Sequence, residues 1–176
     1  MTFWNFFFNN KQTNTIKNKI KNTDTKIFIE NLIENKQKLI IYSSTDKDVN
    51  LHDLEKLCDS VGWVKRPIKK VKIAIDNSFL IIAIFYYKED KKNLIGFARA
   101  TSDESFNATI WDVVIHPEFQ GKGLGKALMQ ETIKQLRYHD ISTITLFADP
   151  EVIQFYKGIG FVTDPDGVKG MFWYPI

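Results

Sequence analysis

Three glycines stand at every second position of the stretch HPEFQGKGLGKAL, namely Gly121, Gly123 and Gly125. An apolar run precedes the stretch and a helix-like pattern follows it. Glycines let backbone N–H groups approach an anion without interference from a Cβ atom. The N-terminus of a following helix adds unpaired N–H groups and the positive end of its dipole. The spacing therefore predicts a phosphate-binding loop, with Lys122 and Lys126 at its rim. The alternative is a tight turn that binds nothing.

The glycine spacing narrows the choice of phosphate ligand. A nucleotide P-loop needs G-x-x-x-x-G-K-[ST], and no glycine of this chain is followed by Lys and then Ser or Thr. A dinucleotide fingerprint needs G-x-G-x-x-G, and here the third glycine comes one residue early. The pattern that fits is Q/R-x-x-G-x-G/A, over residues 120–125.

This pattern resembles the pyrophosphate loop of the GNAT family of acetyl-CoA-dependent acetyltransferases. A second stretch, YKGIGF at residues 156–161, is similar to the Y-x-x-x-G-F motif of that family. The most detailed similarity is to chloroplast serotonin N-acetyltransferase-like members and their algal-plastid and cyanobacterial relatives. It is carried by LCDSVGWVKRP, LIGFARATSDESFNATIWDVVIHPEFQGKGLGKALM, ISTITLFADPEVIQFYKGIGF and DPDGVKGMFWYP, and it covers roughly residues 38–176.

The resemblance implies acetyl transfer from acetyl-CoA to an amine by direct attack in a ternary complex. The acceptor it suggests is an arylalkylamine, a protein N-terminus or a lysine side chain. It further implies that backbone groups of Val113, Val114 and Ile115 bind the pantetheine arm. The pyrophosphate would lie against the loop formed by Gln120, Gly121, Lys122, Gly123, Leu124, Gly125 and Lys126.

Two side chains are candidates for the proton transfers of this reaction. By the resemblance, Tyr156 lies near the CoA sulfur, where a phenol is a reasonable proton donor to a thiolate leaving group. Asp149 follows an apolar strand and precedes Tyr156 by seven residues. It either binds the acceptor ammonium and relays its proton through water, or caps the helix that begins at Pro150.

Other reactive residue types have simpler interpretations. Strict alternation along a strand would place Asp112 on the face opposite Trp111 and Val113, which makes a catalytic role of Asp112 near the amine less favoured. His116 is expected at a surface turn, and Cys58 as a buried structural thiol. The C-terminal aromatics belong either to a core strand or to an aromatic-amine pocket, and they are Phe172, Trp173 and Tyr174. The three histidines and one cysteine show no metal-ligand spacing.

The elements that must position these residues follow from hydrophobic periodicity. We predict a strand at residues 38–45, helices near 50–62 and 68–76, a three-strand antiparallel run, a long helix near 123–139, a strand, a short helix and a final strand in GMFWYP. This order predicts a mixed α/β fold. The resemblance implies that it is the GNAT acyl-CoA N-acyltransferase fold, with a central, mostly antiparallel sheet flanked by helices. Residues 1–37 are expected to form a flexible polar tail, and residues 38–176 the GNAT domain.

Composition limits the function classes. The net charge of +3 is concentrated in the four lysines of residues 1–23, so no basic face for nucleic acid is expected. No apolar run is long enough to span a bilayer. Residue usage and the resemblance together predict a plastid protein, with a cyanobacterial cytoplasm as the alternative. A non-catalytic acetyl-CoA-binding module and a nucleotide-binding protein are the competing functions.

Overall fold

The computed structural model describes residues 24–34 and 37–174. Its elements are β1 (Thr25–Glu34), β2 (Gln37–Ser44), α1 (Leu51–Ser60), α2 (Ile68–Asp76), β3 (Leu80–Lys88), β4 (Lys91–Ser102), β5 (Asn107–Ile115), α3 (Leu124–Tyr138), β6 (Thr143–Leu146) and α4 (Ile153–Lys157). Short 3-10 turns lie at Pro117–Phe119, Pro150–Val152 and Pro165–Gly167. The strands form one six-stranded sheet in chain order. Neighbours are antiparallel except β5 and β6, which are parallel and joined by the α3 crossover.

Helices cover both faces of this sheet, as the mixed α/β prediction requires. Successive residues of β3 alternate between the two faces: Ile81 and Ala83 pack under α1 and α2, while Ile82 and Ile84 pack under α3. The helical side chains that meet them are Leu54 and Leu57 of α1, Ile75 of α2, and Leu124, Leu128, Met129 and Leu136 of α3. Burial of each such side chain contributes about 1.5–3 kcal/mol.

Local signals place the ends of these elements. The Asn50 side chain accepts hydrogen bonds from the N–H groups of His52 and Asp53 at 3.0 and 3.1 Å, and it thereby caps the N-terminus of α1. The β3–β4 hairpin turns through Glu89 and Asp90, which both have positive φ. Two positive φ values are what a two-residue loop needs to match the right-handed twist of the strands. The predicted helices, the antiparallel run and the strand before α4 are all present.

The N-terminal prediction needs a correction. Residues 25–34 were expected in a flexible tail, but they form β1, which pairs with β2 along its length. Phe28, Ile29 and Leu32 pack against the α3-side core, and they supply apolar contacts within a predicted tail that is otherwise rich in Asn, Lys and Thr. Residues 1–23 of the predicted tail lie outside the described residues.

The C-terminal prediction is wrong as well. Within the described part, residues 170–174 of GMFWYP form no strand. Met171, Phe172, Trp173 and Tyr174 are 96, 60, 84 and 74% exposed. The Phe172 ring lies 5.0 Å from the Phe147 ring, centroid to centroid. These side chains therefore belong neither to the core nor to an enclosed aromatic pocket.

Candidate active site

Strands β5 and β6 diverge halfway along β5. They pair from Asn107↔Thr143 to Ile110↔Leu146, where β6 ends, while β5 continues to Ile115. The last five residues of β5 therefore have β4 on one side and no strand on the other within the described chain. Their backbone N–H and C=O groups on that side border an open slot, as a ligand binding in strand fashion requires.

A β-bulge reshapes β5 at this point. Pairing with β4 shifts between Phe97↔Val114 and Arg99↔Trp111, so β5 contains one extra residue. Asp112 takes up the bulge with a φ of 53°, a left-handed conformation that aspartate tolerates better than most residues. Trp111 and Asp112 both contact residues on the α1/α2 face, whereas Val113 packs on the α3 side. The alternation argument that set Asp112 apart from Trp111 is therefore wrong.

The glycine loop lies between β5 and α3. Gly121 and Gly123 have φ values of 71° and 81°, and an ideal Cβ at either position would meet nothing within 4 Å. Gly123 occupies the position before the first turn of α3, and the first hydrogen bond of the helix runs from Ala127 N–H to its carbonyl at 3.0 Å. Among the described residues, the backbone N–H groups of 121–126 donate to no acceptor. The loop thus has an open surface bordered by unpaired donors.

The polar side chains of the loop differ in the hydrogen bonds and ion pairs that they form. Gln120 donates from Nε2 to the Ile115 carbonyl at 2.9 Å, which ties the loop to the end of β5. Lys122 forms an ion pair with Glu34 of β1 and donates to the Glu118 carbonyl. Lys126 is exposed in the first turn of α3, with no hydrogen bond or ion pair to a described residue. Lys126, not Lys122, is therefore the loop cation available to an anion.

Tyr156 and Asp149 both line the slot. Tyr156 lies on α4, packed edge-on against the rings of Phe155 and Phe161. Burial raises the pKa of its phenol above 10.0, and the charge of Asp149 raises that pKa further. The Asp149 side chain is exposed and caps neither the 3-10 turn nor α4. Asp149 thus occupies the N-cap position of the 3-10 turn without a side-chain capping bond, and it lines a slot shared with Tyr156.

A pair of arginines meets at the bulge. Asp112 accepts a hydrogen bond from Arg99 Nε at 2.6 Å and one from Arg66 Nη1 at 2.9 Å. Arg99 belongs to β4, and its side chain is 14% exposed. Arg66 belongs to the segment between α1 and α2, and its side chain is 41% exposed, with the guanidinium 6.0 Å from the centroid of the Trp63 ring. Two charge-assisted bonds thus hold Asp112 in its left-handed conformation and hold the α1–α2 segment against the sheet.

Together these groups line one cleft of about 500 Å³. Its α3-side wall is formed by the end of β5, Gln120 and Tyr156, next to the glycine loop. The opposite wall, which we call the acceptor wall, consists of Trp63, Val64, Arg66, Trp111, Asp112 and Phe147. Its residues were missed from the sequence, apart from the doubtful Asp112. Composition was the one sequence feature that could have pointed to Arg66 and Arg99, because the chain has 21 lysines and only three arginines. Two of those three arginines form ion pairs with Asp112.

Other candidates lie outside the cleft. His116 Nδ1 accepts the Glu118 N–H at 3.3 Å, so it caps the 3-10 turn after β5. Burial raises the pKa of the Cys58 thiol, with nearby Arg66 opposing that effect, and Cys58 contacts the α1/α2 core. No cluster of acidic, His or Cys side chains in the described ranges is arranged to hold a metal ion. None of the described helices has both the length and the apolarity to cross a membrane.

Comparison with known sequences gives the family of this chain. The acetyltransferase (GNAT) family profile matches residues 49–161. The chain is 63% identical to the N-acetyltransferase ycf52 of the red alga Gracilaria tenuistipitata var. liui, over 100% of both chains. It is 46% identical to the chloroplastic GCN5-related N-acetyltransferase 2 of Arabidopsis thaliana, over 77% of this chain and 58% of that protein.

A solved structure shares the fold. The GNAT family acetyltransferase SP0256 of Streptococcus pneumoniae matches 77% of this chain and 98% of its own, with a TM-score of 0.63 and 22% identity. This agreement confirms the mixed α/β fold with helices on both faces of the sheet. The plastid relatives likewise confirm the predicted compartment. The chain therefore belongs to the acetyltransferase (GNAT) family, and it is a plastid acetyltransferase enzyme.

Proposed function

We propose that this enzyme transfers the acetyl group of acetyl-CoA to a primary amine by direct attack within a ternary complex. The observation that carries the proposal is the slot beside residues 111–115, which leads to the open glycine loop at the start of α3. A pantetheine arm has amide groups that can pair with strand backbone, and a pyrophosphate is the ligand that a helix N-terminus favours. The slot and the loop are adjacent, as those two parts of one ligand require.

The donor residues of the loop fit this ligand. Val113, Val114 and Ile115 offer their backbone to the pantetheine amides, and residues 121–126 offer unpaired N–H groups to the phosphates. Lys126 adds a positive charge at the same end of α3. Glycine at 121 and 123 keeps that surface open, since a side chain there would require an unfavourable positive φ. A backbone N–H beside the slot can also stabilise the negative charge that develops on the thioester oxygen.

Tyr156 is the proposed proton donor to the departing thiolate. Its raised pKa keeps the phenol protonated at neutral pH. A thiol has a pKa of about 8.5, so full transfer from an ordinary phenol is uphill by roughly 1.5 pKa units. Tyr156 therefore acts first as a hydrogen-bond donor to the developing negative charge on sulfur, and its proton follows as the carbon–sulfur bond breaks.

Asp149 is the proposed partner of the acceptor amine. Its carboxylate lines the slot and bonds to no capping N–H group. A carboxylate is in general a far weaker base than an amine, so it attracts an ammonium group without keeping its proton. Asp149 therefore binds the ammonium and passes its proton to water. The acetyl group needs no cysteine carrier, because Cys58 contacts the α1/α2 core and does not line the cleft.

Steady-state kinetics with three amines test this function. The acceptors are tryptamine, a peptide with a free N-terminus and no lysine, and an N-terminally blocked peptide with one lysine. Release of the CoA thiol is followed while the mass of each acceptor is measured. Direct attack predicts a 42 Da gain in at least one acceptor and reciprocal plots that intersect when both substrates are varied.

Two results would overturn the proposal. Parallel reciprocal plots would indicate a covalent acetyl-enzyme and exclude direct attack. CoA release that is no faster with any of these amines, or with an acidic amine such as aspartate, than without an amine would exclude amine acetylation.

A further inference from the structure

The acceptor wall contains one cation whose charge is not cancelled by its partner. Asp112 carries one negative charge and bonds two guanidinium groups, so the cluster of Arg66, Arg99 and Asp112 has a net charge of +1. Arg99 is largely buried, whereas the Arg66 side chain is 41% exposed and lines the cleft. The net positive charge of the cluster is therefore exposed to the cleft at Arg66.

The Arg66 guanidinium is also held in place. Its Nη1 donates to Asp112, and its Cζ lies 6.0 Å from the centroid of the Trp63 ring. Pro67 restricts the backbone of Arg66, the residue before it. A second interaction of the guanidinium is with the Cys58 thiol, and the exposed part of the fork borders the cleft. A fixed, partly exposed guanidinium is well suited to bind a carboxylate.

The other side of the cleft carries the opposite charge. Asp149 follows β6 and lines the cleft together with Tyr156. An acceptor whose ammonium lies at Asp149 thus extends toward a positive charge on the acceptor wall. Building on the proposed function, we infer that this enzyme prefers amines bearing a carboxylate, and that Arg66, held by Asp112, selects them. Such an acceptor is either a free acidic amino acid or a peptide with an acidic first residue.

Two peptides that differ only in one side-chain functional group test this preference. Asp-Ala-Ala amide and Asn-Ala-Ala amide have nearly the same shape and differ in the side-chain charge. We expect wild-type kcat/KM to be about tenfold higher for the Asp peptide, as one partly exposed charge-assisted hydrogen bond allows. Arg66→Met should bring the ratio of the two values to about one, and Arg66→Glu should lower it further. Free aspartate, assayed in parallel, separates a small-molecule acceptor from a peptide.

The ratio is insensitive to partial misfolding, because both peptides are compared in one preparation. Lys65→Met is the matched control: Lys65 is the adjacent cation, but it pairs with Asp59 and does not line the cleft. It should leave the ratio unchanged. Equal wild-type rates with the two peptides, or a ratio that survives Arg66→Met, would overturn the inference while leaving amine acetylation intact. Absence of transfer to every amine would instead count against the proposed function.

Discussion

Asp112 adopts the left-handed conformation that places its side chain on the same face as that of Trp111. Left-handed backbone costs an ordinary residue about 1–2 kcal/mol, less for aspartate. Two charge-assisted hydrogen bonds from arginines offset that cost. Because the bonds come from β4 and from the α1–α2 segment, this single residue fixes both the bulge and one wall of the cleft.

Tyr156 is the residue whose loss should affect chemistry more than binding. In Tyr156→Phe the ring can still pack against Phe155 and Phe161. We expect kcat to fall about 100-fold, at the low end for a general acid because a thiolate is a fairly good leaving group. KM for acetyl-CoA should change less than about threefold if the hydroxyl acts mainly in the transition state.

The control for this measurement is Tyr138→Phe, which removes a hydroxyl from a side chain that is 80% exposed on α3. It should retain wild-type kcat. A comparable loss in both variants, or a Tyr156→Phe enzyme within threefold of wild type, would contradict the proton-donor assignment.

At the scale of residues, the sequence identified the glycines of the loop after β5 and missed the residues of the acceptor wall. Glycine spacing is a local signal, so Gly121 and Gly123 could be assigned to the loop directly. The partnership of Arg66 with Asp112 joins residues 46 positions apart and depends on a bulge. Alternation along a strand assumes that no extra residue is present, and it therefore gave the wrong face for Asp112.

At the scale of elements, β1 illustrates how composition can conceal a strand. Its partly buried Phe28, Ile29 and Leu32 are spaced irregularly, because the pairing with β2 shifts register twice. Asn31 interrupts the strand with a φ of 59°. Neither a helical nor a two-residue period emerges from such a segment, whereas α1 and α3 were predictable from clean periodicity.

Two truncations test the contribution of β1 to stability. Deletion of residues 1–23 should leave the thermal midpoint within about 2 °C of wild type. Deletion of residues 1–36 also removes β1, its apolar contacts and the ion pairs Lys26–Glu131 and Glu34–Lys122. We expect the second midpoint to fall by at least about 5 °C, since each kcal/mol changes the midpoint of a chain this size by roughly 2–4 °C. Equal midpoints for the two proteins would mean that β1 adds little to the fold.

At the scale of the whole molecule, burial of tyrosines predicts the alkaline limit of stability. Burial is the main cause that raises the pKa of Tyr42, Tyr86, Tyr87 and Tyr156. A raised pKa means that the unfolded chain loses these protons first. Their stabilisation is complete below pH 10 and disappears as pH rises through the folded-state pKa values. Lys92, whose pKa is lowered by burial, has the opposite effect but is a single group.

Thermal unfolding between pH 8 and 11 measures this effect. The midpoint should change little up to pH 9.5 and then fall by at least about 3 °C. Tyr42 is nearly buried and stacks on Phe85, so Tyr42→Phe should keep the packing and reduce the alkaline decline. A midpoint that is flat to pH 11, or a decline unaltered by Tyr42→Phe, would refute this explanation.

The overall architecture was predictable because a GNAT-type order of elements is readable from periodicity and turns. The divergence of β5 from β6 was not, because it depends on where a four-residue strand ends. That divergence leaves residues 111–115 beside a cleft that is lined by Gln120 of the glycine loop and by the acceptor wall. The proposed function therefore depends on a gap in the sheet that no local sequence pattern predicts.

The most direct measurement is calorimetric titration of acetyl-CoA into wild type, Lys126→Glu and Lys134→Glu. Both variants change one exposed lysine of α3 to glutamate, but only Lys126 lies beside the glycine loop. An acid in the first turn favours the helix, so Lys126→Glu should fold at least as stably as wild type. We expect its Kd for acetyl-CoA to rise about tenfold or more, with Lys134→Glu within about twofold of wild type. No binding to wild type, or equal Kd values in all three proteins, would contradict the assignment of this loop to the acetyl donor.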